Sequence, residues 1–222
     1  MAMGSPAVVT PQWWRGLPGG EAEVLPAPVQ PVGIPALDGA LAQGGLPLGG
    51  VTEIRAAPGH GGMSLALRVC AEALRVPHAR AVVVDGMGTL HGPGAVAAGI
   101  PPGVLWCVRP SEPAHAAAVA LRLVRSRAFR VVVVDQVETA PAQAPELAVR
   151  RLSVAAQEAS CAVLLLSGAW ADGATLPLPA ALRLRLSRQS HSQIVVFIEK
   201  QRGSHQSGHV GLSWPFLPAV GH

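Results

Sequence analysis

The chain has 222 residues, half of them apolar and only 14% charged, so it can bury a sizeable core and is not a disordered protein. It shows no run of about 18 to 20 apolar residues that could span a membrane and no signal-peptide pattern in residues 1–5, so a cytoplasmic protein is expected. The formal charge of +4 comes from 17 basic residues, all arginine except Lys200, scattered along the sequence. Such a charge permits nucleic-acid binding without arguing for it.

The three cysteines are Cys70, Cys107 and Cys161. They are widely spaced and form no Cys-x-x-Cys pair or Cys/His cluster, so neither a disulfide framework nor a zinc site is indicated. Reduced, buried thiols are expected instead.

Composition divides the chain into three parts. Residues 1–32 are rich in proline and glycine and predict an N-terminal arm and linker, with Trp13 and Trp14 as its bulky pair. Residues 33–214 have the apolar patterning of a folded core, and residues 215–222 form a C-terminal tail.

Within the core, β-branched apolar runs alternate with stretches of helical period. The predicted order is strand 51–55, helix 63–74, strand 81–85, strand 104–108, helix 113–124, strand 131–135, helix 145–159 and strand 161–166. Several strands are apolar on both faces, as a parallel sheet covered by helices on both sides requires. An α/β fold with a mostly parallel sheet is therefore predicted.

After Ala180 the pattern changes to a period of two. Leucines alternate with arginines over 182–188 and two further runs follow, at 194–198 and 210–214, which predicts antiparallel strands added to the parallel core. Arg183, Arg185 and Arg188 are expected to share one strand face, either a solvated sheet face or a subunit interface.

The stretch from Thr52 to Leu67 has the strand, glycine-rich turn and helix start of a phosphate-binding loop. Its glycines are Gly59 and Gly61, but the chemistry of an ATP site is missing from it. The substituted positions are the first glycine, now Ala56; the lysine, now Gly62; and the magnesium-binding hydroxyl, now Met63. Tight ATP binding is disfavoured, leaving a weak anion site at 59–62 or a purely structural turn.

The residues Gly33-Ile34-Pro35-Ala36-Leu37-Asp38, the run from Gly44 to Ile54 and the Pro58-Gly59-x-Gly61 turn resemble the RecA-like P-loop NTPase core over residues 33–214. The resemblance implies that Val131–Asp135 is the Walker B strand, whose Asp135 would hold magnesium in an active relative. It also places the water-activating acid of RecA at Met87, in Asp85-Gly86-Met87, where that acid is lost. A catalytically inactive chain without cofactor or metal is therefore expected.

Among RecA-like proteins the chain is similar to the ImuA family in size, lead-in motif and absence of recombinase extensions. Membership implies an accessory role in SOS-induced translesion DNA synthesis. The implied partners are ImuB, an error-prone DNA polymerase III alpha-type subunit and RecA. A cell-division inhibitor resembling SulA is one alternative, and a DNA-dependent ATPase that uses Arg55 or Lys200 in place of the missing lysine is another.

The segments that correspond to the DNA-binding loops of RecA, 139–145 and 168–177, contain no lysine or arginine. Filament formation on DNA through them is not expected, because most nucleic-acid affinity comes from lysine and arginine side chains that neutralise the backbone phosphates. Arg122, Arg125, Arg127 and Arg130 are expected to interact with a helix C-terminus, with a DNA or acidic-partner patch as the alternative.

Aromatic residues near both ends are candidate interaction residues. Trp13 and Trp14 predict self-association through the arm, or docking of the arm on its own core. Trp214 and Phe216 predict a partner-binding tail, or the closure of the last strand.

Overall fold

The computed structural model of the chain describes residues 28–135, 145–168, 179–202 and 207–215. The helices in these residues are α1 Pro35–Ala40, α2 Gly62–Ala73, α3 Gly92–Ala97, α4 Ala116–Arg125 and α5 Pro145–Ala159. The strands are β1 Val29–Gln30, β2 Leu46–Pro47, β3 Gly50–Ala56, β4 Ala81–Asp85, β5 Trp106–Val108, β6 Val131–Asp135, β7 Ala162–Ser167, β8 Leu182–Arg188, β9 Gln193–Gln201 and β10 Gly208–Ser213.

Within the described residues, eight of these strands form one sheet in the order β10-β9-β8-β3-β7-β6-β4-β5, and β1 pairs with β2 in a small separate sheet. The strands from β3 to β7 pair in parallel. β8 is parallel to β3 but antiparallel to β9, and β10 is antiparallel to β9. The predicted α/β class is confirmed, with β8 as the strand where the two kinds of pairing meet.

Helices cover both faces of the parallel strands. On one face α2 and α3 pack over a core that includes Ile54, Leu65 and Leu164, and this core continues under the leucines of β8. On the other face α4 and α5 pack over a second core with Val84, Val132 and the α5 residue Leu152. Because β3, β4, β6 and β7 pair in parallel, their carboxyl ends all lie at one edge of the sheet.

Some element boundaries differ from the prediction. The predicted strand 104–108 is the short edge strand β5, and the predicted helix 113–124 begins with a 3-10 turn at Pro113–His115 before α4. The lead-in folds into α1, which has a proline in its first turn; the Asp38 carboxylate accepts hydrogen bonds from the backbone N–H groups of Val32 and Gly33, at 2.8 and 3.0 Å. Near the end of the predicted linker, Val29–Gln30 form β1 and Val32 is completely buried.

The cysteines do not share one environment. Cys70 and Cys161 are buried, and burial raises the pKa of each thiol to about 12. Cys107 is exposed, which corrects the expectation that all three are buried. It lies in β5, at the end of the sheet, where a three-residue strand leaves its own side chains uncovered.

No helix in the described residues is both long and apolar enough to cross a bilayer.

Candidate functional site

The predicted phosphate loop has the expected backbone. β3 ends at Ala56, α2 begins at Gly62, and the turn between them places Gly59 and Gly61 at φ values of +77° and +91°. L-residues rarely adopt this left-handed region, so these two glycines let the chain turn directly from strand to helix. Gly61 is the N-cap of α2 and offers no side-chain cap.

The side chains around the turn do not fit a magnesium triphosphate. Gly62 and Met63 supply neither cation nor hydroxyl, and Met63 packs against the hydrophobic core. Arg55, one proposed replacement for the lysine, is buried and donates to the Glu199 carboxylate at 3.0 Å. Lys200, the other, lies in β9 opposite Arg183. In the described residues, Arg55 is thus held by Glu199 and Lys200 lies in the antiparallel strands.

The turn is instead packed from the side of the antiparallel strands. A Cβ atom on Gly61 would lie 2.7 Å from the Trp214 ring and 2.8 Å from the Ile194 side chain, so both residues touch the loop backbone. Arg188 donates from Nη1 to the Gly59 carbonyl at 3.1 Å and places its guanidinium 5.2 Å from the centre of the Trp214 ring. The loop is thus fastened to the end of the sheet by residues 188, 194 and 214.

The sequence analysis predicts Arg188 on the same face as Arg183 and Arg185, and this prediction is wrong. Residues two apart share a strand face, so Arg188 belongs with the buried Leu184 and Leu186 rather than with the odd-numbered arginines. The period-two alternation of the sequence already places Arg188 on the leucine face.

Asp135, the predicted Walker B carboxylate, stands at the end of β6 directly beside Asp85 at the end of β4. Both are almost fully buried. The Thr89 hydroxyl donates to Asp135, while Asp85 accepts from the backbone N–H of Thr89 at 2.8 Å and from Arg109 Nε at 2.9 Å. Burial, with the nearby Asp85 charge as a smaller contribution and the Thr89 hydrogen bond opposing, raises the pKa of Asp135 above its usual 3.8.

These carboxylates therefore hold the loop after β4. Residues 86–91 are tied to both aspartates through Thr89, and Met87 projects from this loop with 45% of its surface exposed. A thioether cannot accept a proton from water, so the position that the resemblance assigns to the catalytic acid has no base. Sequence reasoning missed Thr89 and Arg109, which carry no motif and are brought to the aspartates only by the fold.

Arg183 and Arg185 are joined to acidic residues on neighbouring strands. Arg183 donates to the buried Glu53 of β3 at 2.6 Å, and Arg185 donates to Glu199 of β9 at 2.6 Å while lying 4.0 Å from the Phe197 ring centre. Arg183 is only 13% exposed and Arg185 37%. The pattern predicted their shared face but not these partners.

Of the other predicted interaction residues, Trp214 packs on the turn as described. Trp13, Trp14 and Phe216 lie outside the described residues, as do 139–144 and 169–177 of the two loop segments. Among the described residues no group of three or more His, Cys, Asp or Glu side chains is arranged to hold a metal ion.

The comparisons with known proteins agree with this architecture. The model of the RecA N-terminal domain family matches residues 18–169. RecA of Salinispora tropica is 36% identical over 118 residues, which are 53% of this chain and 34% of that protein. RecA of Symbiobacterium thermophilum is 40% identical over 109 residues, covering 49% of this chain and 31% of that protein. RecA of Chlorobium chlorochromatii is 35% identical over 144 residues, or 64% and 40% of the two chains. The chain thus spans about a third of the length of the curated relatives it matches.

Proposed function

This chain belongs to the RecA N-terminal domain family, and we propose that it is a catalytically inactive member that serves as an adaptor in DNA repair. The finer assignment, to SOS-induced translesion synthesis with ImuB, an error-prone polymerase and RecA as partners, rests on the resemblance to the ImuA family. The match to RecA proteins supports the coarser role in DNA repair.

The observation that carries the proposal is the use of the two aspartates at the carboxyl edge of the sheet. In an active relative the Walker B carboxylate faces a hydrated magnesium ion. Here Asp135 accepts the Thr89 hydroxyl, and Asp85 is satisfied by Arg109 and two backbone N–H groups. The carboxylate that would hold magnesium in an active relative thus holds the loop after β4, together with Asp85.

The missing lysine and hydroxyl contacts to a triphosphate at the glycine turn also support a catalytically inactive protein. A charge-assisted hydrogen bond contributes about 1.5–3 kcal/mol, so loss of the lysine contact weakens a triphosphate site by roughly one to two orders of magnitude. Loss of the magnesium ligand at Met63 adds a similar amount. A micromolar site would thereby move toward millimolar affinity.

The test is a steady-state ATPase assay of the full chain, with and without single-stranded DNA, beside an Asp135→Ala variant. The proposal expects the same background rate for both proteins. Hydrolysis that exceeds background and is abolished by Asp135→Ala would contradict it. Saturable binding of a fluorescent ATP analogue at low micromolar concentration would count against it as well.

The adaptor role is tested by pull-down of purified ImuB. Three forms of the chain are compared: intact, without residues 1–27, and without residues 216–222. These boundaries leave β1 and Trp214 in place, because both pack on the folded core. Failure of the intact chain to retain ImuB would remove the translesion assignment while leaving the family membership untouched.

A further inference from the structure

The edge of the sheet opposite the vestigial loop collects arginines from two separate connections. The connection from α2 to β4 ends at Arg80, and the connection from α4 to β6 ends at Arg130. Because β4 and β6 are neighbours, the two connections touch: the Arg130 N–H donates to the Arg80 carbonyl at 2.9 Å. We call this surface the basic edge; it comprises Arg80, Arg122, Arg125, Arg127, Arg130 and Trp106.

The net charge of the protein is concentrated at this edge. Residues 72–80 and 122–130 hold six of the 17 basic residues but only one of the 13 acidic ones, while the remaining 11 basic and 12 acidic residues nearly cancel. The one acid, Glu72, pairs with Arg75 and Arg68. In the described part of the chain, none of the five arginines of the basic edge forms an ion pair with a carboxylate.

Helix ends do not account for this excess. The C-termini of α2 and α4 each carry about half a negative charge, which together offset roughly one arginine. Four of the five side chains are exposed, and the fifth, Arg130, donates to the neutral Gln30 amide oxygen at 2.6 Å. The connection from α5 to β7 brings one exposed acid, Glu158, to the same edge, so the arginines there outnumber the acids and leave an excess of positive charge.

The backbone at Arg127 also departs from the usual arrangement. This residue follows the end of α4 with φ at +55°, the left-handed position at which glycine is strongly preferred. The arginine therefore stands where a glycine would give a more stable turn, and its side chain is exposed. Its side chain contributes positive charge to the surface, while its left-handed backbone conformation lowers the stability of the protein.

An exposed aromatic ring lies beside these arginines. Trp106 begins β5, pairs in register with Val82 two residues after Arg80, and has 56% of its surface exposed. Its ring meets the buried Phe129 edge-on at 6.0 Å between centroids, and Phe129 lies between Arg127 and Arg130 in the chain. An indole supported by a second ring and flanked by cations is the arrangement on which unpaired bases stack.

We propose that the basic edge binds single-stranded nucleic acid, with the arginines on the phosphates and Trp106 stacked against a base. The exposed ring favours this ligand over an acidic protein segment, which has charges but no bases. The site lies at the amino ends of the parallel strands, away from the carboxyl edge at which the phosphate loop and Asp135 stand. It needs neither ATP nor the adaptor role proposed above.

The test uses fluorescence anisotropy of a fluorescein-labelled 30-nucleotide oligothymidylate with the full chain. For about four phosphate contacts, the logarithm of the association constant should fall with the logarithm of salt concentration at a slope of about −3. Affinity should then drop roughly fifty-fold between 50 and 200 mM salt. Absence of binding at 50 mM salt would overturn the proposal.

Charge reversal locates the site. Arg125→Glu/Arg127→Glu should weaken binding at least thirtyfold, whereas Arg150→Glu/Arg151→Glu, with the same charge change on exposed positions of α5, should weaken it less than threefold. Arg125→Lys/Arg127→Lys should retain most of the affinity. Equal losses in the two reversed variants would show a general charge effect and refute the assignment to this edge.

Substitution of Trp106 tests the stacking. Trp106→Leu keeps an apolar contact for Phe129 and should weaken oligothymidylate binding about tenfold, with little change for a 30-base-pair duplex. Unchanged binding by this variant, or equal affinity for duplex and single strand, would refute the stacking contact. Displacement of the oligonucleotide by poly-glutamate at equal charge would identify an acidic protein as the partner and overturn the proposal.

Discussion

The two edges of the parallel sheet use their charged residues in opposite ways. At the carboxyl edge Asp85, Asp135, Arg109 and Thr89 are bound to one another, and Arg188 is bonded to backbone carbonyls of the turn and the neighbouring hairpin. At the amino edge lie five arginines, none of which forms an ion pair with a carboxylate of the described residues. Charged groups that are hydrogen-bonded within the protein hold its own loops in place, whereas arginines without an ion pair are available to a ligand. The amino edge therefore says more about what the protein binds.

The largest expected effect comes from filling the space between the turn and Trp214. Gly61→Ala should lower the free energy of unfolding by about 3 kcal/mol, because it adds left-handed strain and forces Trp214 and Ile194 aside. Gly59→Ala is the matched control: its φ is also positive but nothing lies within 4 Å of the new Cβ, so about 1 kcal/mol is expected. Urea denaturation measures both. Equal losses would show that the packing of Trp214 does not stabilise the turn.

Removal of one arginine from each edge compares how much an ion-paired and an unpaired arginine contribute to the free energy of unfolding. Arg109→Ala leaves the buried Asp85 without its guanidinium and should shift the unfolding midpoint to clearly lower denaturant concentration. Arg125→Ala removes an exposed side chain that contacts no carboxylate among the described residues, and should cost under about 0.5 kcal/mol. Chemical denaturation of the two variants compares them directly. A larger loss for Arg125→Ala would contradict the contrast between the edges.

Arg127→Gly should stabilise the protein by about 0.5–1 kcal/mol, because glycine adopts the left-handed turn after α4 without strain. The same variant should bind oligothymidylate several-fold more weakly. Ser160→Gly, at a φ of +49° after α5, is the control that should gain similar stability without loss of binding. Weakened binding in both variants would indicate that backbone change, rather than lost charge, is responsible.

The smallest effect concerns the charge on Asp135. Its pKa is raised in the folded state, so the neutral form is favoured by folding, and that contribution is present at low pH and lost as pH rises through the folded pKa. Asp135→Asn should therefore raise the melting temperature slightly at pH 7, with the advantage shrinking as the pH falls toward 3.8. Thermal melts from pH 3 to 8 test this. A variant less stable than the parent at pH 7 would refute it.

Much of the architecture follows from local patterning. The strands ending in Asp85 and Asp135 were predicted to the residue, because runs apolar on both faces occur where helices cover a parallel sheet. The short α3 and the two-residue strands were not predicted, since a helix of six residues or one pair of bridges is too short to show a periodicity. The substitutions in the phosphate loop could be recognised from the sequence, because all residues of that motif are contiguous.

The sequence alone determined that this is a parallel α/β protein with a glycine turn before Ser64 that lacks lysine and hydroxyl. Only the tertiary structure decided where its charges act. Arginines scattered over the chain come together because adjacent parallel strands begin at the same edge, and Thr89 meets Asp135 because neighbouring strands end at the same edge. Register and crossover direction set those meetings, and both depend on contacts between residues far apart in the chain.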